Sequence, residues 1–162
     1  MPLNINVNLD YASPTEAVKV AKLFREILAE LPYYNDIAKR DEAKKYSPAN
    51  LRKMVKKDKY SVLIAKNGNE IIGFCFSYFD DYTIWIDWLG VKKEERRKGI
   101  GEALLNAVIA DANKRTAHKV WCDTRNNNET SKRLLTKLGF RIIAELKNHW
   151  YGLDFILWEL PV

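Results

Sequence analysis

Apolar and polar positions alternate, or recur with a helical period, along most of the chain. LNINVNL (3–9) alternates in the manner of a half-buried strand. SPTE (13–16) combines a serine–glutamate capping box with proline at the first helical position, which predicts a helix start. The apolar residues after it predict a helix with one apolar face that ends before Pro32. Those residues are Val18, Ala21, Phe24, Ile27, Leu28 and Leu31.

The next segments predict a second helical region and then three strands. SPAN (47–50) is another helix start, whereas residues 33–46 carry mixed helix and loop signals without clear boundaries. The apolar runs YSVLIAKN, EIIGFCFSYF and YTIWIDWLGV follow, separated only by Gly68-Asn69 and Asp80-Asp81. Because turns this short join antiparallel neighbours, the three runs predict two consecutive hairpins.

The pattern then changes to helix, strand, helix and two strands. GEALLNAVIADANKR (101–115) and ETSKRLLTKLGF (129–140) have helical periods and flank the strand HKVWCDT, while FRIIAEL and YGLDFILWEL predict the last strands. No linker or repeat interrupts this order, so residues 1–162 predict a single α/β domain. Its mixed sheet is expected to be antiparallel in the first half and parallel at the ligand site, with helices on both faces.

Composition narrows the class of protein. The 162 residues are 47% apolar and 30% charged, which is typical of a globular domain with a sizeable core. No apolar run approaches the roughly 18 residues of a membrane span, and the first residues lack a signal-peptide pattern. Cys75 and Cys122 lie in apolar segments and predict buried free thiols. A cytoplasmic protein without a membrane partner or a metal site is therefore expected.

A basic, glycine-containing segment joins a predicted strand to a predicted helix as Arg96-x-x-Gly99-x-Gly101. The first N–H groups of a helix lack internal partners, and glycines let a phosphate approach them closely. The segment thus indicates a pyrophosphate site, or alternatively a tight basic turn without a ligand. No Gly-Lys-Ser/Thr follows, which excludes a Walker loop, and Leu104 stands where a dinucleotide fingerprint needs glycine or alanine.

The segment resembles motif A of the GNAT superfamily of acetyl-coenzyme A-dependent N-acetyltransferases. LTKLGF is similar to the family's LYxxLGF, an asparagine-containing loop precedes it, and the order of elements agrees. The nearest pattern is that of the protein and ribosomal alanine N-acetyltransferases. The resemblance implies coenzyme binding by a strand end, the glycine segment and the start of the next helix. The implied residues are Leu89, Gly90, Val91, Arg96, Arg97, Lys98, Gly99, Ile100, Gly101, Asn128 and Ser131.

Within that set, the backbone N–H groups of residues 97–101 would take the pyrophosphate, and residues 89–91 would pair with the pantetheine arm as a strand edge does. One N–H of that strand end would face the thioester oxygen. Asn128 would contact the coenzyme arm, and its alternative role is that of a helix N-cap.

Acetyl transfer to an amine needs a base, since amines are protonated at neutral pH. The resemblance places Asp123 where the ribosomal alanine enzymes carry a glutamate, and Asp87 lies between two tryptophans on the predicted central strand. Either could be the base, or either could be a structural carboxylate. Leu135 occupies the position at which the family usually has a tyrosine that acts as the acid. A leucine on this face of the helix is expected to pack in the core. Tyr151 is the substitute acid, unless it is simply an aromatic strand residue.

Two functions remain open at this point. The first is an acetyl-coenzyme A-dependent N-acetyltransferase that acts on a primary amine of a small molecule or peptide. The alternative is a non-catalytic protein of the same fold that binds coenzyme A or another polyanion. The acceptor pocket is expected between residues 32–46 and the hairpin around Trp150. No nucleic-acid motif is present, and either a monomer or a homodimer is compatible with the sequence.

Overall fold

The computed structural model describes residues 6–162 and consists of one seven-stranded sheet with five α-helices. The strands are β1 (Val7–Tyr11), β2 (Val62–Asn67), β3 (Glu70–Asp80), β4 (Thr83–Val91), β5 (Lys119–Arg125), β6 (Arg141–Leu146) and β7 (Phe155–Pro161). The helices are α1 (Ala17–Glu30), α2 (Asp36–Lys45), α3 (Pro48–Lys57), α4 (Ile100–Lys114) and α5 (Glu129–Lys137).

The sheet changes from antiparallel to parallel at its middle. Its strand order is β1-β2-β3-β4-β5-β7-β6, and β1 to β4 pair antiparallel in chain order. β4 and β5 are parallel, which requires the crossover that α4 supplies. β7 then inserts antiparallel between β5 and β6. The predicted mixed sheet is confirmed.

Each face of the sheet has its own hydrophobic core. One core contains Leu104 and Leu105 of α4 together with Leu135 of α5. The other core packs Phe24 of α1 against β3 and includes Leu51 of α3. Helices therefore cover both faces, as the sequence predicts. Cys75 and Cys122 are buried free thiols, again as predicted.

Three details differ from the sequence-based expectations. Val18 is 50% exposed, because the buried stripe of α1 runs through Val20 and Phe24 instead. The first strand is Val7–Tyr11 rather than 3–9, and residues 3–5 of that prediction lie outside the described residues. The last strand begins at Phe155, not at residue 151.

The late start of β7 follows from a tight turn. A short 3-10 turn occupies Trp150–Gly152, and Tyr151 has a φ of 56°, which a strand does not allow. The carboxylate of Asp154 accepts a hydrogen bond from the Asn148 N–H at 2.8 Å and closes this turn. Tyr151 is thereby carried out of the sheet.

Within residues 6–162, no helix has the length and apolar character that crossing a bilayer requires. The same residues contain no group of three or more histidine, cysteine or acidic side chains arranged to hold a metal ion.

Candidate active site

A β-bulge interrupts the central strand at Asp87. Phe76 pairs with Trp88 and Ser77 pairs with Ile86, so Asp87 is the extra residue in β4. A bulge of this kind bends the strand and re-aims the side chains beside it. Asp87 and Trp88 consequently both lie on the sheet face covered by α1 to α3, whereas Ile86 packs in the opposite core.

The two parallel strands separate just beyond the bulge. Their last pair is Ile86 with Cys122, so Asp87 and Asp123 are the first residues past it on the two strands. We call this point the apex, and the opening beyond it the cleft. Asp123 lies on the same sheet face as Trp121, since side chains alternate along a strand.

The cleft exposes one backbone edge of β4. The Lys92 N–H donates to Ile72 O at 2.8 Å, which fixes every second residue of this strand as bonded to β3. In an antiparallel ladder, the residues between them point the other way. The backbone groups of Leu89 and Val91 therefore face the cleft. Arg96 Nε donates a hydrogen bond to Val91 O at 2.9 Å. Among the described residues, the N–H and C=O of Leu89 and the N–H of Val91 therefore remain available to a ligand.

The glycine segment turns sharply into α4. Gly99 precedes the helix with a φ of 81° and Arg97 has a φ of 63°, both in the left-handed region. Among the described residues, no side chain caps the first N–H groups of α4. Arg96 also lies 3.5 Å from Glu30, and Lys98 binds Glu95 at 2.9 Å, so these two side chains hold the loop. The open donors are backbone groups, as expected for a pyrophosphate site.

Gly90 is required by the packing between the sheet and its neighbours. A Cβ at this position would lie 2.5 Å from the ring of Phe74. At Gly101, in contrast, a Cβ would be at least 3.7 Å from its neighbours, so an alanine fits the protein's own packing there.

The start of α5 borders the cleft. Asn128 is the N-cap, and its Oδ1 accepts from the N–H of Ser131 at 3.2 Å, so the capping alternative is realised. Burial is the main reason that the pKa of Tyr33, a residue of the loop before α2, is raised. Leu135 is 4% exposed in the core, as predicted.

Asp123 is a half-buried carboxyl with an altered proton affinity. Its Oδ2 accepts a hydrogen bond from Trp150 Nε1 at 2.8 Å. Burial raises the pKa of Asp123 to about 6, and the charge of Asp87 adds to the rise, although the bond from Trp150 opposes it. A carboxylate with a pKa near 6 is ionised at neutral pH and basic enough to accept a proton.

Asp87 has a different setting, because three donors hold its carboxylate. Trp85 Nε1 donates to Oδ1 at 3.1 Å, Lys45 Nζ lies 2.8 Å from Oδ2, and the Tyr46 hydroxyl donates to Oδ2 as well. Lys45 and Tyr46 come from the end of α2. The carboxylate thus ties this helix to the bulge.

Glu42 is a site residue that the sequence analysis missed. Its two oxygens accept from the Tyr151 hydroxyl and from Trp88 Nε1, each at 2.9 Å. Burial and the charge of Glu42 raise the pKa of Tyr151. Asn35 adds a second link, because its Nδ2 donates to Tyr151 O at 3.2 Å. The segment 32–46 and the hairpin around Trp150 are thereby joined across the acceptor side of the cleft.

Glu42 had no distinguishing signal in the sequence. It lies in an acidic and basic helix whose limits the pattern could not define, and its partners are 46 and 109 positions away. Only the fold brings them together.

Comparison with known proteins identifies a family and a fold. Residues 22–140 match the family described as Acetyltransferase (GNAT) family. No curated protein matches the chain. Solved structures similar in fold include the PaiA N-acetyltransferase from Thermoplasma acidophilum in complex with coenzyme A. It is 18% identical with a TM-score of 0.83, and the match covers 98% of this chain and 100% of that one.

Two further structures have the same fold. Ard1 from Thermoplasma volcanium is 19% identical with a TM-score of 0.79, covering 98% of this chain and 99% of that one. The ribosomal-protein-S18-alanine N-acetyltransferase from Escherichia coli is 18% identical with a TM-score of 0.74, covering 96% and 94%.

Proposed function

Since the chain belongs to the acetyltransferase (GNAT) family, with acetyl-coenzyme A as its acetyl donor, we propose that it transfers the acetyl group to a primary amine by direct attack on the thioester. The observation that supports this proposal is the geometry of the apex, where β4 and β5 separate at Asp87 and Asp123. It combines an open strand edge with a carboxyl whose pKa is about 6. A bound thioester would have backbone donors on one side and a proton acceptor on the other.

The coenzyme would be held mainly by backbone groups. The uncapped N–H groups at the start of α4 suit the pyrophosphate. The Leu89 N–H and C=O and the Val91 N–H suit the pantetheine amides. A Leu89 N–H directed at the thioester oxygen would stabilise the negative charge that develops there. Asn128 and Ser131 would border the arm from α5.

Asp123 is proposed as the general base. An amine approaching the apex must lose a proton before attack, because lysine-like amines titrate near pH 10.4 and α-amines near 8. Within residues 6–162, Oδ1 of Asp123 accepts no hydrogen bond, so it is free to take that proton directly or through a water. Asp87 is proposed as a positioning residue instead, because Lys45, Tyr46 and Trp85 already occupy its oxygens.

The role of Tyr151 as the acid that protonates the leaving thiolate remains a prediction. Its hydroxyl proton points to Glu42, and its raised pKa makes it a weak acid. A thiol has a pKa near 8.5, so the thiolate can also leave without an acid.

The deciding experiment is an amine-acceptor screen with acetyl-coenzyme A, in which free thiol is detected and the product is confirmed by mass spectrometry. Alkylamines, diamines and short peptides with free α-amines form the panel. Acetylated amine with matching thiol release is the expected result. Acetyl-coenzyme A binding without turnover of any amine would instead support the non-catalytic alternative.

A further inference from the structure

The sheet face that carries Asp123 is only partly covered by helices, and an open groove of about 520 Å³ runs along its uncovered part. We call it the tryptophan groove. Its lining residues are Tyr78, Asp80, Asp81, Thr83, Trp85, His118, Lys119 and Trp121.

The tryptophan groove lies next to the apex, because two of its residues are close to Asp87 and Asp123. Trp85 and Trp121 are cross-strand partners on β4 and β5, and their rings meet edge to face with centroids 4.9 Å apart. Trp85 Nε1 donates to Asp87, and Trp121 is two residues from Asp123 on the same face. A molecule whose amine reaches Asp123 therefore has these two indoles beside the rest of its length.

The far end of the groove carries negative charge without a partner. Among the described residues, neither Asp80 nor Asp81 takes part in an ion pair. The one lysine of the groove, Lys119, lies 3.4 Å from Glu159, which also binds Arg141 at 2.8 Å. Two free carboxylates thus remain in the groove of a protein whose net charge is +6.

The groove has a defined length. From Asp123 back to Lys119 is four residues of β5, or about 13 Å at roughly 3.3 Å per residue. Two nitrogens joined by an extended chain of about eight or nine methylene groups are separated by a distance of that order.

We propose that the tryptophan groove binds the distal end of the acceptor, and that the acceptor is a linear amine with a second, protonated nitrogen about 10–13 Å from the reacting one. The Nζ of Lys119 already lies 4.5 Å from the centroid of the Trp121 ring, so the distal ammonium group is attracted by the carboxylates of Asp80 and Asp81. The methylene chain lies against the indole rings. This inference rests on the proposed function, because it assumes that the reacting amine lies at Asp123.

The matched probes are 1,8-diaminooctane and octylamine, which differ only in the distal amine. The two nitrogens of the extended diamine are about 11 Å apart. At pH 8 and low salt, we expect kcat/KM to be about tenfold higher for the diamine. In the double variant Asp80→Asn, Asp81→Asn, that ratio should fall towards one. The double variant Glu26→Gln, Glu145→Gln removes the same charge from exposed positions elsewhere and should keep the ratio.

Equal kcat/KM for the two amines, or a ratio that the Asp80 and Asp81 substitutions leave unchanged, would overturn the groove assignment. If neither amine is acetylated while another amine of the panel is, the linear-diamine assignment is overturned and the proposed function stands. If no amine of the panel is acetylated, the proposed function fails, and the groove is then judged by binding alone. Calorimetric titration of the two amines into wild type and the double variant makes that measurement. Tighter binding of the diamine that depends on Asp80 and Asp81 supports the groove, and equal binding contradicts it.

Discussion

The indole N–H of Trp150 donates a hydrogen bond to Oδ2 of Asp123 at 2.8 Å, although Trp150 itself is 53% exposed. A residue of the terminal hairpin therefore reaches the apex of the sheet and contacts the carboxyl that we assign as the base. Because the bond favours the charged form, Trp150 limits how far burial can raise the pKa of Asp123.

The first prediction removes this bond. Trp150→Phe keeps an aromatic ring but loses the donor, so the pKa of Asp123 should rise above about 6. The acidic limb of the kcat/KM profile should then move to higher pH, with coenzyme affinity unchanged. Rates measured between pH 5 and 8 test this. A uniform loss of rate with an unmoved limb would mean that Trp150 acts only through contact with the acceptor.

The second prediction concerns the base itself. Asp123→Asn keeps the shape of the side chain and removes the proton acceptor, so the rate at neutral pH should fall by about 10²–10⁴-fold. The deficit should shrink as pH approaches the pKa of the amine, because the substrate then arrives deprotonated. Initial rates from pH 6 to 10 measure both effects.

Asp87→Asn is the matched comparison. It should lower stability through weakened bonds to Lys45 and Tyr46, with a rate loss that does not shrink as pH approaches the pKa of the amine. Because the charge of Asp87 helps to raise the pKa of Asp123, the acidic limb should also move to lower pH. If the pH-dependent loss is found in Asp87→Asn and not in Asp123→Asn, the two roles are exchanged. Full activity of both variants would leave proton removal to solvent.

A third prediction follows from the same carboxyl and concerns stability. The pKa of Asp123 is raised from 3.8 to about 6 in the folded state, so folding favours its protonated form. The contribution of Asp123 to wild-type stability should therefore fall as pH rises from about 4 to 6, and remain reduced above that. Asp123→Asn should be more resistant to unfolding than wild type at pH 7.5, with the difference shrinking near pH 4. Urea denaturation at both pH values decides this, and equal stability at pH 7.5 would contradict it.

The fourth prediction tests the coenzyme site. Gly101→Trp should abolish acetyl-coenzyme A binding by local obstruction, whereas Gly101→Ala should keep the fold, because a Cβ there lies 3.7 Å or more from its neighbours. Calorimetry measures the affinity, and thermal unfolding checks that each variant is folded. If the Gly101→Trp protein is folded and binds acetyl-coenzyme A with wild-type affinity, the coenzyme site lies elsewhere in the protein.

The fifth prediction concerns Leu135, at the position of the family's usual tyrosine. Its side chain is 4% exposed in the core, so Leu135→Ala should lower the free energy of unfolding by roughly 2–5 kcal/mol. Turnover should change only as folding does. Thr136→Ala, at an exposed neighbour, is the control. A stable Leu135→Ala protein without activity would give this leucine a chemical role.

Local pattern determined most of the fold. The strand and helix periods, the capping residues Ser13, Ser47 and Asn128, and the short turns at Gly68 and Asp80 all act within a few residues, so they can be read along the chain. The glycine segment was also readable, because the backbone conformation at Gly99 depends on the residue itself. Boundaries failed where tertiary contacts intervened, as at Tyr151, whose hydroxyl donates to Glu42 and whose carbonyl accepts from Asn35.

The tertiary structure distinguishes the surroundings of the two carboxylates. Asp87 and Asp123 are equivalent candidates in the sequence, since each is an aspartate beside aromatic or apolar strand residues. The bulge at Asp87 turns it towards Lys45 and Tyr46 from α2. The carboxyl of Asp123 is half-buried and, within residues 6–162, accepts a hydrogen bond from Trp150 alone. The proton affinity of a carboxyl depends on the charges and donors within a few ångströms. Those neighbours are 27 to 42 positions away along the chain, and folding alone brings them into contact.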